Sequence, residues 1–389
     1  MPDPPSPSLP PELWVYIIRL AAPFFIVSDY IPFEEQRIPQ HNDVLREKCT
    51  LALVCKSWNR MVSLMLAEDI RFVRPREPYL ESFVFGSPTV EPRGHHTRRL
   101  QLAYSYIPGL GGRIDSIASL LSSCPNVECL HRPYPSTEYP THHPSFTNIP
   151  QLQNLTRVDW FCVAHGTNHN DPTYTATALH SLVDIVNHSP NLRYLSISGK
   201  GSSWPVVPLA HPNIQTLRVG SLPGNLDVCI AEWRFPLLSH LILEHLPTEC
   251  IRIFSQQVHT VEFAPRLFLR RDESILLLNL NAKPKIRRIN FSILFFPQAR
   301  SWHGKYRHVR EIGLDLRLTE VFGQQGQRSL WTTIKGQFSW LSSCEGHGFV
   351  NVDLVELHGD WSRWEEEEEF SNFKVMLKAK GTKLRYLRD

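Results

Sequence analysis

From about Thr97 onward the chain repeats one hydrophobic phrase: an apolar residue, two others, an apolar residue, one other, and a third apolar residue. It is clearest in Pro190-Asn191-Leu192-Arg193-Tyr194-Leu195-Ser196-Ile197, Pro212-Asn213-Ile214-Gln215-Thr216-Leu217-Arg218-Val219 and Pro236-Leu237-Leu238-Ser239-His240-Leu241-Ile242-Leu243. Pro125-Asn126-Val127-Glu128-Cys129-Leu130 opens another copy, with Arg132 at its last apolar position. Weaker copies centre on Val261, Ile289, Ile312 and Val355, and Leu384…Leu387 reads as a partial last one. The last two apolar positions of each phrase lie two apart, which predicts a strand with one buried face. Arg193, Gln215, Arg218, His240 and Arg287 between them read as free to vary. Proline ahead of the phrase ends the preceding helix and biases its neighbour towards extended backbone. Three- and four-residue spacing predicts helices over Ile114–Ser123, Ala176–Asn187 and Arg328–Leu341.

The central positions 195, 217, 241, 261, 289 and 312 are separated by 22, 24, 20, 28 and 23 residues. Such a period points to stacked strand-plus-helix units, none of which buries its apolar face alone. The alternative is a generic α/β domain with alternating strands and helices but no solenoid. The stretch from Leu314 to Val352 hides at least one irregular unit.

The opening seventy residues carry a different pattern. Pro10 and Pro11 are placed to open a helix, along which Leu13, Ile17 and Leu20 recur, with Trp14 and Ile18 widening the stripe. Asn42 or Asp43 can cap a second helix, whose buried side is expected from Leu45, Cys49, Ala52 and Leu53. Cys55 to Leu66 reads as a third, with Trp58, Val62 and Leu66 at spacings of four. Three short helices make a marginal core by themselves, so a partner covering the remaining apolar surface is expected.

Two resemblances follow from these residues. Leu9-Pro10-Pro11-Glu12-Leu13 and Val54-Cys55-Lys56-Ser57-Trp58 resemble the two ends of an F-box, the helical module that docks substrate receptors onto Skp–cullin–F-box ubiquitin ligases. The repeats resemble an irregular leucine-rich-repeat domain of the kind found behind F-boxes. Together these imply an α/β protein with an N-terminal three-helix module over 1–75, a linker over 76–96 and a repeat domain over 97–389. The F-box resemblance implies contact of Leu9, Pro10, Leu13, Ile17, Val54, Cys55 and Trp58 with a Skp-type linker subunit and, through it, a cullin. The repeat resemblance implies an extended face for an unknown protein substrate. The implied role is non-catalytic: a substrate adaptor in the ubiquitin conjugation pathway, cytoplasmic or nuclear, that works by proximity. The alternative is a plain interaction scaffold in which the helices cap the solenoid.

Residues 21–40 form a longer link than most F-boxes use between their first two helices. Its polar part reads as a tolerated surface loop, and Phe24, Phe25 and Phe33 as residues that cover the module or pack it against the next domain. Three further connections read as rim loops: one with Tyr134 and Tyr139, one with Trp204, and one with Arg270 and Arg271. Their side chains are either binding anchors or residues folded back on the solenoid edge.

Composition removes several classes. With 42% hydrophobic and 20% charged residues the chain is globular, and a formal charge of +3 argues against a nucleic-acid partner. No apolar run approaches a membrane span, and the N-terminus lacks the features of a secretory signal. The eight cysteines include no Cys-x-x-Cys pair and read as buried reduced thiols, with Cys49, Cys55, Cys129, Cys162 and Cys229 in apolar segments. Gly111-Gly112 and Gly199-Lys200-Gly201 fit no phosphate-binding loop. His165 and His169 with Asp171 lack a fourth ligand and sit among glycine, asparagine and proline, so neither metal nor cofactor is expected. The run Glu365–Glu369 reads as a solvated first turn of a helix or as an acidic docking patch.

Overall fold

The computed structural model describes residues 9–24, 29–34, 41–72, 78–102, 117–133, 148–163, 172–200, 206–220, 226–244, 254, 256–263, 284–292, 306–316, 332, 334–336, 338 and 350–387. The chain divides into two compact units. One gathers Met1–Ser28, Ile38–Trp160 and Ser181–Leu192; the other gathers Asp29–Arg37, Phe161–His180 and Arg193–Asp389.

In the first unit α1 (Pro11–Ala21), α2 (His41–Ala52) and α3 (Lys56–Ala67) precede β1 (Asp69–Arg71). Helix α4 (Pro78–Phe85), β2 (Arg99–Gln101), α5 (Ile117–Ser123) and β3 (Cys129–Arg132) follow, and β4 (Arg157–Val163) and α6 (Pro172–Asn187) each have residues in both units. Strands β1 to β4 pair in parallel and in sequence order, which sets Ile70, Leu100, Leu130 and Val158 side by side. The strand ladder therefore starts at Asp69, ahead of the expected Thr97. Residues 76–96, expected as a linker, contain α4 and a 3-10 turn at Gly94–His96. The expected apolar position at 132 is filled by Arg132, 3% exposed, with its guanidinium over the Trp160 ring at 5.0 Å. A cation stacked on an aromatic face keeps its charge partly compensated where it is dry.

The second unit contains β5 (Tyr194–Lys200), β6 (Leu209–Ala210), β7 (Thr216–Val219), α7 (Leu226–Ala231), β8 (Trp233–Arg234) and β9 (His240–Leu243). It continues through β10 (Thr260–Phe263), β11 (Arg288–Ser292), β12 (Glu311–Asp315), β13 (Leu354–His358), α8 (Glu368–Ala379) and β14 (Lys383–Leu387). Strands β6 and β8 form a small parallel pair of their own. The others run β5-β7-β9-β10-β11-β12-β13-β14, all parallel. A doubly wound sheet reverses its strand order at a switch point; this one adds each new strand to the same edge. That is repeat topology.

Register confirms the phrase. Leu195, Leu217, Leu241, Val261, Ile289, Ile312, Val355 and Leu384 are paired neighbours across the eight strands. Ile197, Val219, Leu243, Phe263, Phe291, Leu314, Leu357 and Tyr386 form the second apolar row. Leu384 thus occupies the central position rather than opening a partial phrase ending at Leu387. Burying each such aliphatic side chain stabilises by roughly 1.5–3 kcal/mol. Beneath the last repeats Phe338, Trp361, Trp364, Phe370 and Phe373 pack with ring centroids 5.0–6.3 Å apart.

An asparagine ahead of the strand, in two copies that of the Pro-Asn phrase, clips neighbouring repeats together at four places. Asn126 Nδ2 donates to the His95 carbonyl at 2.7 Å, Asn154 to Pro125 at 3.2 Å, and Asn191 to Gln153 at 2.7 Å. In the second unit Asn351 donates to Arg307 at 3.0 Å. Each donor lies four residues before a central apolar position, and each acceptor belongs to the turn before the preceding strand. Asn191→Ala leaves the Gln153 carbonyl without this donor and is expected to cost about 1 kcal/mol in urea unfolding. An unchanged midpoint would remove the clip from the account.

Candidate functional site

Two surfaces come into question. The first is the N-terminal three-helix module. Pro10 caps α1 with Pro11 in its first turn, so the missing proline N–H costs no helix bond. Cys55 caps α3, its Sγ accepting the Trp58 N–H at 3.5 Å. The module core is Ile18, Ala52, Val62 and Met65, with Val15, Leu51, Trp58, Met61 and Leu66 packed against it. Trp14 and Trp58 meet at 5.2 Å between ring centroids.

Of the residues assigned to linker contact, Leu9, Pro10, Leu13, Ile17, Val54 and Cys55 are exposed and Trp58 is half-buried. The stripe Leu13, Ile17 and Leu20 does not face the module core: these side chains are 48%, 40% and 64% exposed. Leu53 and Val54, at the turn into α3, are 84% and 59% exposed. Two expectations are corrected. Leu53 and Cys49 do not line the buried side of α2, and Cys49 and Cys55 are exposed thiols, whereas Cys129, Cys162 and Cys229 are buried.

The buried side of α2 carries a residue that the apolar pattern passed over. Lys48 is 2% exposed, donates to the Met65 carbonyl at 3.2 Å and lies 3.7 Å from Glu68 and 5.0 Å from the Phe24 ring centroid. Burial lowers its pKa, against the pull of Glu68 and Asp69. Removing one partner of a buried ion pair leaves the other charge poorly compensated, although Glu68 retains Arg19 at 3.1 Å, and Lys48→Met also takes the donor from the Met65 carbonyl. Lys48→Met is therefore expected to destabilise the chain in urea unfolding, by about 1–3 kcal/mol; an unchanged midpoint would show that the ammonium does not anchor α2.

The second surface is the polar face of the second unit's sheet. Here the alternate strand positions form the rows Thr216, His240, Thr260, Arg288, Glu311 and Arg218, Ile242, Glu262, Asn290, Gly313, Glu356. The expectation that Arg218 and His240 vary freely does not hold. Arg218 is buried and bonded to Glu244 at 2.7 Å, and His240 lies under an aromatic ring from residues 29–34. The Tyr30 ring stacks on His240 at 4.4 Å and packs on Tyr194 and Ile242. Its hydroxyl donates to Glu262 Oε2 at 2.7 Å and accepts from Asn290 Nδ2. The Phe33 N–H donates to the same Glu262 oxygen at 3.0 Å, and the Phe33 ring meets the His358 ring edge-on at 5.0 Å. Of the expected insert phenylalanines, Phe33 thus packs within the second unit. Phe24 lies against Lys48 and Arg98 in the first, and Phe25 lies outside the described residues.

Glu262 is the hub of this contact. Burial pushes its carboxyl up to about 7, against the donors from Phe33, Tyr30 and Asn290 and the charge of Arg218. Burial also takes the His240 imidazole down to about 4. Beside them Arg288 bonds the Asn290 Oδ1 at 3.0 Å, Glu311 at 3.2 Å and Glu356. The Glu356 carboxyl is held down at about 2, first by the His358 imidazole 3.8 Å away and then by Arg288. Gly313 is the neighbour of Asn290 on the adjacent strand, and a Cβ there would sit 2.2 Å from Asn290 Oδ1, so the amide would have to move.

Tyr134, Tyr139, Trp204, Arg270 and Arg271 lie outside the described residues, as do His165 and His169. Among the described residues no group of three or more His, Cys, Asp or Glu is placed to hold a metal, and no helix is long and apolar enough to cross a membrane. Of the acidic run, Glu367 and Glu369 pair with Lys335 at 2.5 and 3.6 Å, so those two are not a bare docking patch.

The geometry defines a class: an α/β repeat protein with parallel strands in sequential order, a fold suited to protein interaction. No family model matches the chain, and no curated protein matches it. Among solved structures it is similar to the leucine-rich repeat-containing protein LegL7 of Legionella pneumophila. That likeness has 14% identity, covers 80% of this chain and 98% of that one, and has a TM-score of 0.43. A likeness of this size carries no inference about function.

Proposed function

We propose that this protein is a substrate adaptor of a Skp–cullin–F-box ubiquitin ligase. The N-terminal helices dock on the Skp-type linker, and the repeat sheet holds a protein substrate near the transferred ubiquitin. The observation that carries this reading is the outward apolar stripe of α1, Leu13, Ile17 and Leu20, together with exposed Leu53 and Val54 at the turn into α3. The module closes its own core with Ile18, Val62 and Met65, so the stripe is surplus to its folding. Contiguous apolar surface left in water marks an interaction site. Catalysis in this assembly is supplied by other subunits, and the adaptor contributes proximity. Co-purification of the full chain with a Skp-type linker tests the reading: a one-to-one complex supports it, and a folded chain that forms none overturns it.

A second reading, a scaffold whose helices cap the repeats, draws on one feature. Helix α3 runs directly into β1, and the helices share one compact unit with the first strands. Deleting residues 1–75 cannot separate the readings, because it removes β1 as well. Charge placed on the exposed stripe can, since a cap tolerates it and a docking face does not.

A further inference from the structure

The two faces of the second unit's sheet differ in chemistry. The core face is uniformly apolar, as a permanently packed surface should be. Under residues 29–34 the sheet presents a carboxylate, an amide and imidazoles instead: Glu262, Asn290, His240 and His358. Polar groups of this kind are satisfied equally well by water or by a ligand, which suits a surface that is covered only part of the time. The bound segment is short and uses two aromatic anchors, with Pro32 between them. Its own backbone is not at ease: Phe33 has φ of 55°, a left-handed conformation that costs a bulky residue about 1–3 kcal/mol. The outlying ion pair, Asp29 with Arg193 at 3.7 Å, is solvent-exposed and holds little.

We propose that the polar face of β9 to β13 is a binding site for an extended protein segment carrying Tyr and Phe three residues apart, and that residues 29–34 are its built-in occupant, displaced by such a segment. The tyrosine seat is specific. His240 supplies a flat ring to stack on, Tyr194 and Ile242 supply apolar walls, and Glu262 with Asn290 read the hydroxyl as both donor and acceptor. A phenylalanine in its place would take one hydrogen bond from each of Asn290 and Glu262, leaving them only their own 3.3 Å contact and their other neighbours, and a polar site discriminates in this way against an analogue lacking the hydroxyl. The phenylalanine seat is marked by the ring of His358 and by Glu262, which accepts the N–H of Phe33 itself. This inference names the substrate face of the adaptor and rests on that reading for its biological sense, but not for its test.

The probe is a fluorescein-labelled peptide with the sequence of residues 27–36, titrated into the full-length chain by anisotropy. The protein variants are Tyr30→Ala with Phe33→Ala, which empties the seats, and Gly313→Ala, which drives a methyl into Asn290 from the neighbouring strand and displaces the amide that bonds the tyrosine hydroxyl. The emptied variant is expected to bind the peptide at least tenfold more tightly than wild type. Adding Gly313→Ala to it should abolish binding, and a peptide with both aromatics replaced by alanine should not bind. Equal binding to wild type and emptied variant, or none to a folded emptied variant, overturns the proposal. Loss of cooperative unfolding in the emptied variant overturns it too, since residues 29–34 would then belong to the core. The same variant assayed for linker co-purification keeps the two readings apart: a complex retained without peptide binding sinks only this inference.

Discussion

Replacing Leu13 and Val54 together by glutamate will abolish co-purification with a Skp-type linker while leaving the thermal melt within a degree or two of wild type. Both side chains are about half exposed or more in the free chain, so the substitutions remove no core contact. Truncating an apolar anchor at the centre of an interface costs about 2 kcal/mol, and burying an unpaired carboxylate in its place costs further. Two such sites amount to more than a hundredfold in affinity. The position of Trp58 decides the choice of residues. Its ring packs on Trp14 and on the core of Ile18, Val62 and Met65, so Trp58→Ala would weaken the module and lose docking for a reason unrelated to contact. Leu9, at 41% exposed, remains a clean probe. A stable complex with the double glutamate variant would remove the stripe from the interface, and with it the main support for the adaptor.

The second large effect is a pH dependence hidden in the wild type and uncovered by mutation. The Glu262 carboxyl is raised from 4.5 to about 7 in the folded chain. The stability it contributes is fully present below its unfolded pKa and is lost as pH rises through 7. His240 is lowered from 6.5 to about 4. Its contribution is present above 6.5 and is lost as pH falls towards 4. Between pH 5 and 7 these slopes oppose one another. The groups facing the pair are the Tyr30 hydroxyl, whose pKa burial raises further, the Asn290 amide and the guanidinium groups of Arg218 and Arg288; His259 also acts on His240. Glu262→Gln should therefore lose stability as pH falls from 7 to 5, and His240→Phe as pH rises from 5 to 8. Each change should be on the order of 1–2 kcal/mol relative to wild type. Urea unfolding at four pH values checks this, and three parallel curves would show that the pair does not govern the contact.

The repeat architecture was legible because it answers to one rule. A buried face must be apolar in every copy, so the central positions 195, 217, 241, 261, 289 and 312 announce their alignment, and they are paired neighbours in the sheet. The polar face answers to no such rule. Arg218 and His240 look like free surface in the sequence because the residues that cover or bond them come from other segments. Tyr30 and Glu262 lie 232 positions apart, and no periodicity links them. Lys48 was missed for a related reason, since a helical stripe drawn from apolar residues skips a buried cation. The stripe on α1 was visible but its direction was not, because spacing places Leu13, Ile17 and Leu20 on one face without saying what that face meets. The Pro-Asn phrase was seen, yet only its proline had an evident use.

That asparagine has a consequence for how such a chain diversifies. Each clip lies just ahead of a strand and reaches back to the corresponding turn of its neighbour, as Asn191 does to Gln153 and Asn351 to Arg307. Alignment is therefore re-established at these four strand entries, whatever length of chain has intervened since the last exit. Insertions ahead of them would be absorbed locally instead of shifting all later pairings by a residue. The long connections that end at these entries are then a permitted freedom, and they can be rewritten for new partners while the sheet stays in step.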